Sequence, residues 1–95
     1  ISKYTAFYHK SGSATPTEII QNLVTILTSL NITSRRVRNN KLKGLFHEVP
    51  VQFKIRLWQE QGSGKLIIEC QRLSGCSVQF WKLYKSIIQL SEVQQ

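Results

Sequence analysis

The stretch "VQFKIRLWQEQGSGKLIIECQRL", Val51 to Leu73, decides the fold. Apolar residues occupy alternate positions in both of its halves: Val51, Phe53, Ile55 and Leu57, then Leu66, Ile68 and Cys70. A period of two is typical of antiparallel strands that bury one face, and the glycines between the halves indicate a hairpin turn. We therefore predict that Val51–Trp58 and Lys65–Arg72 are neighbouring strands, with Cys70 as a small buried hydrophobe.

Helical patterns flank this hairpin on both sides. The first helix is predicted over Pro16–Leu30, with Thr15 as its N-cap and Asn31 as its stop. The second is predicted from Ser77, as its cap, to about Val93, after a break at Ser74-Gly75. Its apolar face contains Phe80, Tyr84, Ile87, Ile88 and Ser91. Each helix has one apolar stripe, so both should cover the same face of the sheet and leave the other face in water.

Shorter patterns supply the remaining strands. "KYTAFYHK" at residues 3–10 indicates a short strand, and "ITSRRVRNN" followed by "KLKGLF" indicates basic strands joined through Asn39-Asn40, a dipeptide that tolerates positive φ in a hairpin. The predicted class is α+β: a four- to five-stranded antiparallel sheet with two helices packed on one face, in a single domain spanning residues 1–95. Because the chain begins at Ile1 without a methionine, we expect it to be part of a longer protein.

Composition points to an anionic partner. Thirteen Lys and Arg against five Asp and Glu give a net charge of +8, and 41% of the residues are hydrophobic, which predicts a folded and strongly basic domain. The spacing of Cys70 and Cys76 fits neither a zinc site nor a disulfide framework, so we expect a reduced, intracellular protein.

Catalytic chemistry is not indicated. His9 and His47 have no cysteine or carboxylate at ligand spacing, the chain has no aspartate, and the "GSG" of residues 62–64 connects two strands instead of opening a helix. We expect no enzyme activity, cofactor or metal. No apolar run approaches the 18 residues or so that a transmembrane helix needs, so no transmembrane segment is expected.

The remaining signal is a set of basic side chains near aromatic ones. The candidate contacts to a charged partner are Arg35, Arg36, Arg38, Lys41, Lys43, Lys54, Arg56, Arg72, Lys82 and Lys85. They could bind anionic lipid, an acidic or phosphorylated protein surface, or nucleic acid, or they could form a solvated face that shields apolar sheet surface. RNA recognition needs aromatic residues on adjacent strands, and Trp58 alone is predicted to project there, so no nucleic acid is expected.

The order of elements, together with "VQFKIRLWQ", "KLIIECQRLSG" and "SVQFWKLYKSI", resembles the kinase-associated-1 domain that closes many serine/threonine protein kinases. The resemblance covers essentially the whole chain. The positions that match its turn-and-helix motif are Arg72, Ser74, Gly75 and Phe80. "YTAFY" resembles an aromatic Thr-Arg-Phe-Phe motif of DNA-damage checkpoint effector kinases through Tyr4, Thr5, Phe7 and Tyr8, although Ala6 stands where that motif has arginine. Polarity-type kinases share a related turn, matched here by Gly75, Ser77 and Phe80.

The resemblance implies a non-catalytic regulatory module in a cell-cycle or DNA-damage checkpoint pathway. Such a module folds back on its own ATP-binding kinase domain, holds it inactive and, in some members, docks on acidic phospholipid. It also implies a nuclear and cytoplasmic location. The basic residues named above would then contact the kinase domain or a phospholipid surface.

Overall fold

Five strands and two helices make up the computed structural model, which describes residues 5–10, 15–59, 61–62 and 66–93. In chain order they are β1 (Thr5–Lys10), α1 (Pro16–Ser29), β2 (Ile32–Arg38), β3 (Lys41–Phe46), β4 (Val51–Gln59), β5 (Leu66–Ser74) and α2 (Ser77–Val93). The predicted α+β class, an antiparallel sheet with both helices on one face, is confirmed. Lys3, Tyr4 and Lys65, predicted at strand ends, lie outside the described residues.

The predicted β4–β5 hairpin forms the centre of the sheet. The strand order is β1-β5-β4-β3-β2, and all neighbours are antiparallel. Ile55 pairs with Cys70 and Leu57 pairs with Ile68, which brings the alternating apolar residues of both strands to the same side. We call this side the core face, because both helices pack on it, and the opposite side the open face.

The core face buries the apolar stripes of both helices against the strands. Ile19, Leu23, Ile26 and Leu27 of α1 and Phe80 and Ile87 of α2 belong to one cluster with Val51, Phe53, Ile55 and Cys70 of the strands. Each fully buried aliphatic or aromatic side chain contributes about 1.5–3 kcal/mol, so this cluster is the main source of stability.

Helix α1 begins and ends much as its sequence predicts. The Thr15 hydroxyl accepts a hydrogen bond from the Glu18 backbone N–H at 3.2 Å, and the Glu18 carboxylate accepts one from the Thr15 N–H at 3.1 Å, forming a capping box. Leu30 is the C-cap rather than the last helical residue, and Asn31 follows with φ 65°, in the left-handed region.

Helix α2 is capped one residue earlier than predicted. The Phe80 N–H donates to the Cys76 carbonyl at 3.0 Å, so Cys76, not Ser77, is the N-cap. Gly75, at φ 99°, reverses the chain immediately before this cap. The predicted break at Ser74-Gly75 is therefore confirmed, while the capping role of Ser77 is wrong.

Asn39 and Asn40 join β2 to β3, as predicted, but neither has a positive φ. A register shift between Arg36 and Arg38 leaves Val37 as an extra residue in β2. Such a bulge increases local twist, which a two-residue turn without positive φ does not supply. The Asn40 side-chain amide donates a hydrogen bond to the Leu57 carbonyl at 2.9 Å, and the Leu57 N–H donates one to the Asn40 carbonyl at 2.8 Å. These two bonds fix the turn against β4.

Candidate anion-binding face

Six basic side chains form two cross-strand rows on the open face. The register pairs Arg38 with Lys41 and Lys41 with Arg56 in the first row. It pairs Arg35 with Lys43 and Lys43 with Lys54 in the second. We call this set the cationic grid: Arg35, Arg38, Lys41, Lys43, Lys54 and Arg56. No helix in the described part of the chain packs over the grid, so the helices leave these six side chains uncovered.

Glu69 provides the one carboxylate on the described strands. It accepts a hydrogen bond from the Trp58 indole N–H at 2.9 Å, and the same oxygen lies 3.8 Å from Arg56 Nε. The Arg56 guanidinium stacks over the Trp58 ring at 4.9 Å from its centroid. Arg56 Nε is buried and has no hydrogen-bond partner among the described residues. Arg56 is thus oriented by its neighbours while most of its hydrogen-bonding capacity remains unused.

Lys41 lies among like charges of the grid, and they affect its pKa. Burial, followed by the charges of Lys54, Arg56, Arg38 and Lys43, lowers the pKa of its ammonium group from the ordinary value. Cations directly opposite each other across strands destabilise a sheet, so the arrangement opposes folding unless an anion neutralises it.

A basic recess of about 400 Å³ opens at the Asn40 end of the grid. It is lined by Arg38, Asn40, Lys41, Arg56 and Trp58. The turn anchored by Asn40 forms one wall and the Trp58 ring forms another, so three cationic side chains converge on a concave site instead of a flat surface.

An apolar recess of about 220 Å³ lies on the other side of the second row. Its lining includes Thr33, Arg35, Lys43, Leu45, Gln52 and Leu73. Leu73 is 43% exposed, which is unusual for a leucine in a strand. This exposure results from a register shift opposite Gln52 and Phe53, where β5 contains one extra residue. Two recesses of different chemistry therefore flank the Lys43–Lys54 pair.

The structure gathers six of the ten predicted basic residues and leaves four elsewhere. Arg36 pairs with the buried Leu42, so it belongs to the core-facing register, and its guanidinium donates to the Asn39 carbonyl at 3.0 Å. Arg72 donates to the Gly75 carbonyl at 2.5 Å and holds the turn before α2. Lys82 and Lys85 are exposed on α2, across the sheet from the grid.

The residues on which the family resemblance rests lie mainly in the core, in the turn before α2 and on β1. Phe80 is 1% exposed in the core, and Ser74 and Gly75 form the passage from β5 to α2. Thr5, Phe7 and Tyr8 lie on β1, which pairs along β5, whereas Tyr4 lies outside the described residues. Phe80 therefore has a packing role and Ser74-Gly75 a turn role, and none of the three belongs to the grid.

Sequence reasoning missed Asn40 and Leu73 as parts of the face, and it missed the contacts that Glu69 makes there. The Asn39-Asn40 pair signalled the turn but not its hydrogen bonds to β4. The alternation in this strand puts Glu69 on the side opposite Ile68 and Cys70, yet its contact with Trp58 depends on the β4–β5 register. Leu73 lines the apolar recess because of a bulge that no local sequence pattern predicts.

The described residues contain no cluster of three or more His, Cys, Asp or Glu side chains suited to a metal ion. Neither helix within the described ranges combines the length and hydropathy required to cross a bilayer.

Comparison with known proteins gave no match, either to a protein-family model or to a curated protein sequence.

Proposed function

We propose that this chain is a non-catalytic regulatory module of a serine/threonine protein kinase, and that its cationic grid contacts an acidic surface of its own kinase domain and holds that domain inactive. The resemblance to the kinase-associated-1 domain supports a serine/threonine protein kinase as the parent enzyme. The choice of the grid as the contact surface depends on a single observation, the pairing of six cations on an uncovered sheet face.

Electrostatics and linkage make such a contact effective. A grid that destabilises its own sheet loses that repulsion when an acidic surface covers it, so part of the binding free energy is stored in the free module. A covalently linked domain is present at an effective concentration of about millimolar, so weak intrinsic affinity is sufficient for regulation. A contact of a few kcal/mol can then be made and broken.

The test measures basal kinase activity of the full-length parent protein. Replacing Arg35, Lys43 and Lys54 with Glu should raise basal activity towards that of a variant lacking residues 1–95. A Lys82→Glu/Lys85→Glu variant is the control, because it introduces acidic charge on α2, away from the grid. Unchanged activity in both the grid variant and the deletion variant would contradict the proposal.

Acidic phospholipid is the second candidate partner, and the uncovered grid also favours it. A membrane surface attracts each nearby Lys or Arg by about 1 kcal/mol, and the attraction weakens as salt shortens the Debye length. Sedimentation with phosphatidylserine vesicles distinguishes the candidates. Loss of vesicle binding in the grid variant with basal kinase activity unchanged supports lipid, and the reverse result supports the kinase domain.

A further inference from the structure

We infer that the open face is a two-part site for a phosphorylated peptide, in which the basic recess binds the phosphate of a phosphoserine or phosphothreonine and the apolar recess binds an apolar side chain about four residues away. This inference deepens the proposed function by naming a ligand chemistry for the same face. It rests on that proposal for its regulatory meaning, whereas peptide binding itself requires only the face.

The basic recess matches a phosphate better than a carboxylate. A phosphomonoester carries about −1.5 to −2 charges at neutral pH and three acceptor oxygens, while a carboxylate has one charge and two oxygens. Arg38, Lys41 and Arg56 supply three cations around one concavity. The planar guanidinium of arginine donates paired hydrogen bonds to phosphate oxygens. Glu69, 3.8 Å from Arg56, offsets one of these charges, so the recess keeps a net positive charge that suits a dianion.

Preorganisation strengthens this match. The Trp58 ring, 4.9 Å from the Arg56 guanidinium carbon, and the Glu69 carboxylate already hold Arg56 at the recess. The two hydrogen bonds between Asn40 and Leu57, one donated by each residue, hold the opposite wall. A ligand therefore meets side chains that have already lost part of their conformational freedom, which lowers the entropic cost of binding.

The spacing between the recesses fixes the length of the motif. The Lys41–Arg56 pair lines the basic recess, and the Leu45–Gln52 pair lines the apolar recess. Four residues along a strand span about 13 Å, and an extended peptide covers the same distance with four residues. The Lys43–Lys54 pair lies between the two recesses and would lie under the connecting residues.

The shape of the face favours a peptide over a membrane. Both features are recesses, which receive protruding groups such as a phosphorylated side chain or a leucine. Membrane insertion needs a continuous set of projecting apolar side chains, whereas the exposed Trp58 and Leu73 are separated on this face by Lys54 and Arg56. Trp58, 46% exposed, is the large aromatic side chain beside the grid, and its indole is held by Glu69 and stacked against Arg56.

The experiment measures binding of fluorescent degenerate peptide libraries to the 95-residue chain at about 150 mM NaCl, where long-range attraction between exposed charges is screened. One library has a fixed phosphoserine, a second has serine there, and a third has glutamate. Sublibraries place leucine or serine four residues before or after that position. We expect the phosphoserine library to bind at least about tenfold more tightly than the serine and glutamate libraries, since hydrogen bonds between charged groups are lost without the phosphate. Leucine in one of the two directions should tighten binding further.

Matched variants separate the recesses from general charge. Lys41→Gln/Arg56→Gln should abolish the preference for phosphoserine, whereas Lys43→Gln/Lys54→Gln, with the same charge change one row away, should weaken all libraries in parallel. Leu73→Gln should remove the leucine preference alone. Circular dichroism of each variant verifies folding, and the exposed positions of Leu73 and Lys43 make folded variants available.

Three results would overturn the inference. They are equal binding of the phosphoserine and serine libraries, an equal loss of phosphate preference in the two double variants, and binding to phosphatidylserine or phosphoinositide vesicles without binding to any peptide library. The last result assigns the face to a membrane. Because the kinase-activity test uses the parent enzyme without a phosphopeptide, the proposed function can fail or stand independently of this result.

Discussion

At the scale of single residues, the two described glycines with positive φ have different roles. Gly75 has φ 99° and a virtual Cβ there would contact the Pro50 carbonyl oxygen and lie 2.8 Å from Val51 Cα. Gly62 has φ 92°, yet nothing lies within 4 Å of its virtual Cβ. Both positions disfavour a side chain by conformation, and Gly75 alone disfavours it by contact as well.

We predict that Gly75→Ala lowers the free energy of unfolding by about 2–4 kcal/mol, from backbone strain and overpacking together. Gly62→Ala, the control, should cost about 1 kcal/mol, since it introduces the strain without the contact. Urea unfolding of the two variants measures the difference. Equal losses would show that the approach of Gly75 to the Pro50–Val51 backbone contributes nothing.

The two thiols should differ sharply in reactivity. Burial raises the pKa of Cys70 to about 12. Hydrogen bonds from the Gln79 and Val78 backbone N–H groups, with the charges of Arg72 and Lys82, lower the pKa of the exposed Cys76 thiol below its ordinary 9.0. The thiolate is the nucleophile, so alkylation of the native chain by iodoacetamide should label Cys76 alone, with a pH midpoint below 9.0.

Cys70 should be labelled only in denaturant, and mass spectrometry of the digested chain identifies the site. Its raised pKa also has a consequence for stability. The unfolded chain loses the Cys70 proton near pH 9.0 while the folded chain keeps it, so this contribution is complete below pH 9.0 and is lost as the pH rises towards 12. Labelling of Cys70 at the same rate as Cys76 in the native chain would contradict its burial.

At the scale of elements, local patterns predicted what depends on periodicity. The alternation in β4 and β5 gave their pairing, and the capping residues of α1 gave its start at Pro16. Features that depend on register were not predictable in the same way. The bulge at Val37 brings Arg38 beside Lys41 and assigns Arg36 to the other side, because one extra residue reverses the alternation of faces.

The grid itself predicts a conflict between stability and binding. Lys43 faces Lys54 directly across β3 and β4, and like charges in this position cost about 0.2–1 kcal/mol. We predict that Lys54→Glu raises the free energy of unfolding by about that amount at low salt, because it converts repulsion into attraction. Lys85→Glu, on α2, makes the same change of net charge without a facing cation and should have little effect.

Salt provides the second half of this test. Raising NaCl from about 20 mM to about 500 mM should stabilise the original sequence and remove most of the advantage of Lys54→Glu, because screening weakens both repulsion and attraction. Urea unfolding at the two salt concentrations measures both effects. A salt-independent gain in Lys54→Glu would mean that the gain has a cause other than charge.

At the scale of the whole molecule, the two faces of the sheet divide stability from recognition. The core face contains both helices and Phe80, while the open face contains the grid and both recesses. Substitutions on the core face should act through folding, and substitutions on the open face should act through binding.

Phe80 tests this division, because it matches the family motif and is 1% exposed. Phe80→Ala should cost about 3–5 kcal/mol, a large share of the 5–15 kcal/mol typical of a folded domain. Under the proposed function, Phe80→Ala should therefore raise the basal activity of the parent kinase, because it unfolds the regulatory module. Phe80→Leu retains most of the buried volume, so it should stay folded and leave basal activity low, as measured by circular dichroism and a kinase assay on the same preparations. A folded Phe80→Leu variant with fully released activity would place Phe80 in the regulatory contact itself and refute the division of the sheet into a structural face and a binding face.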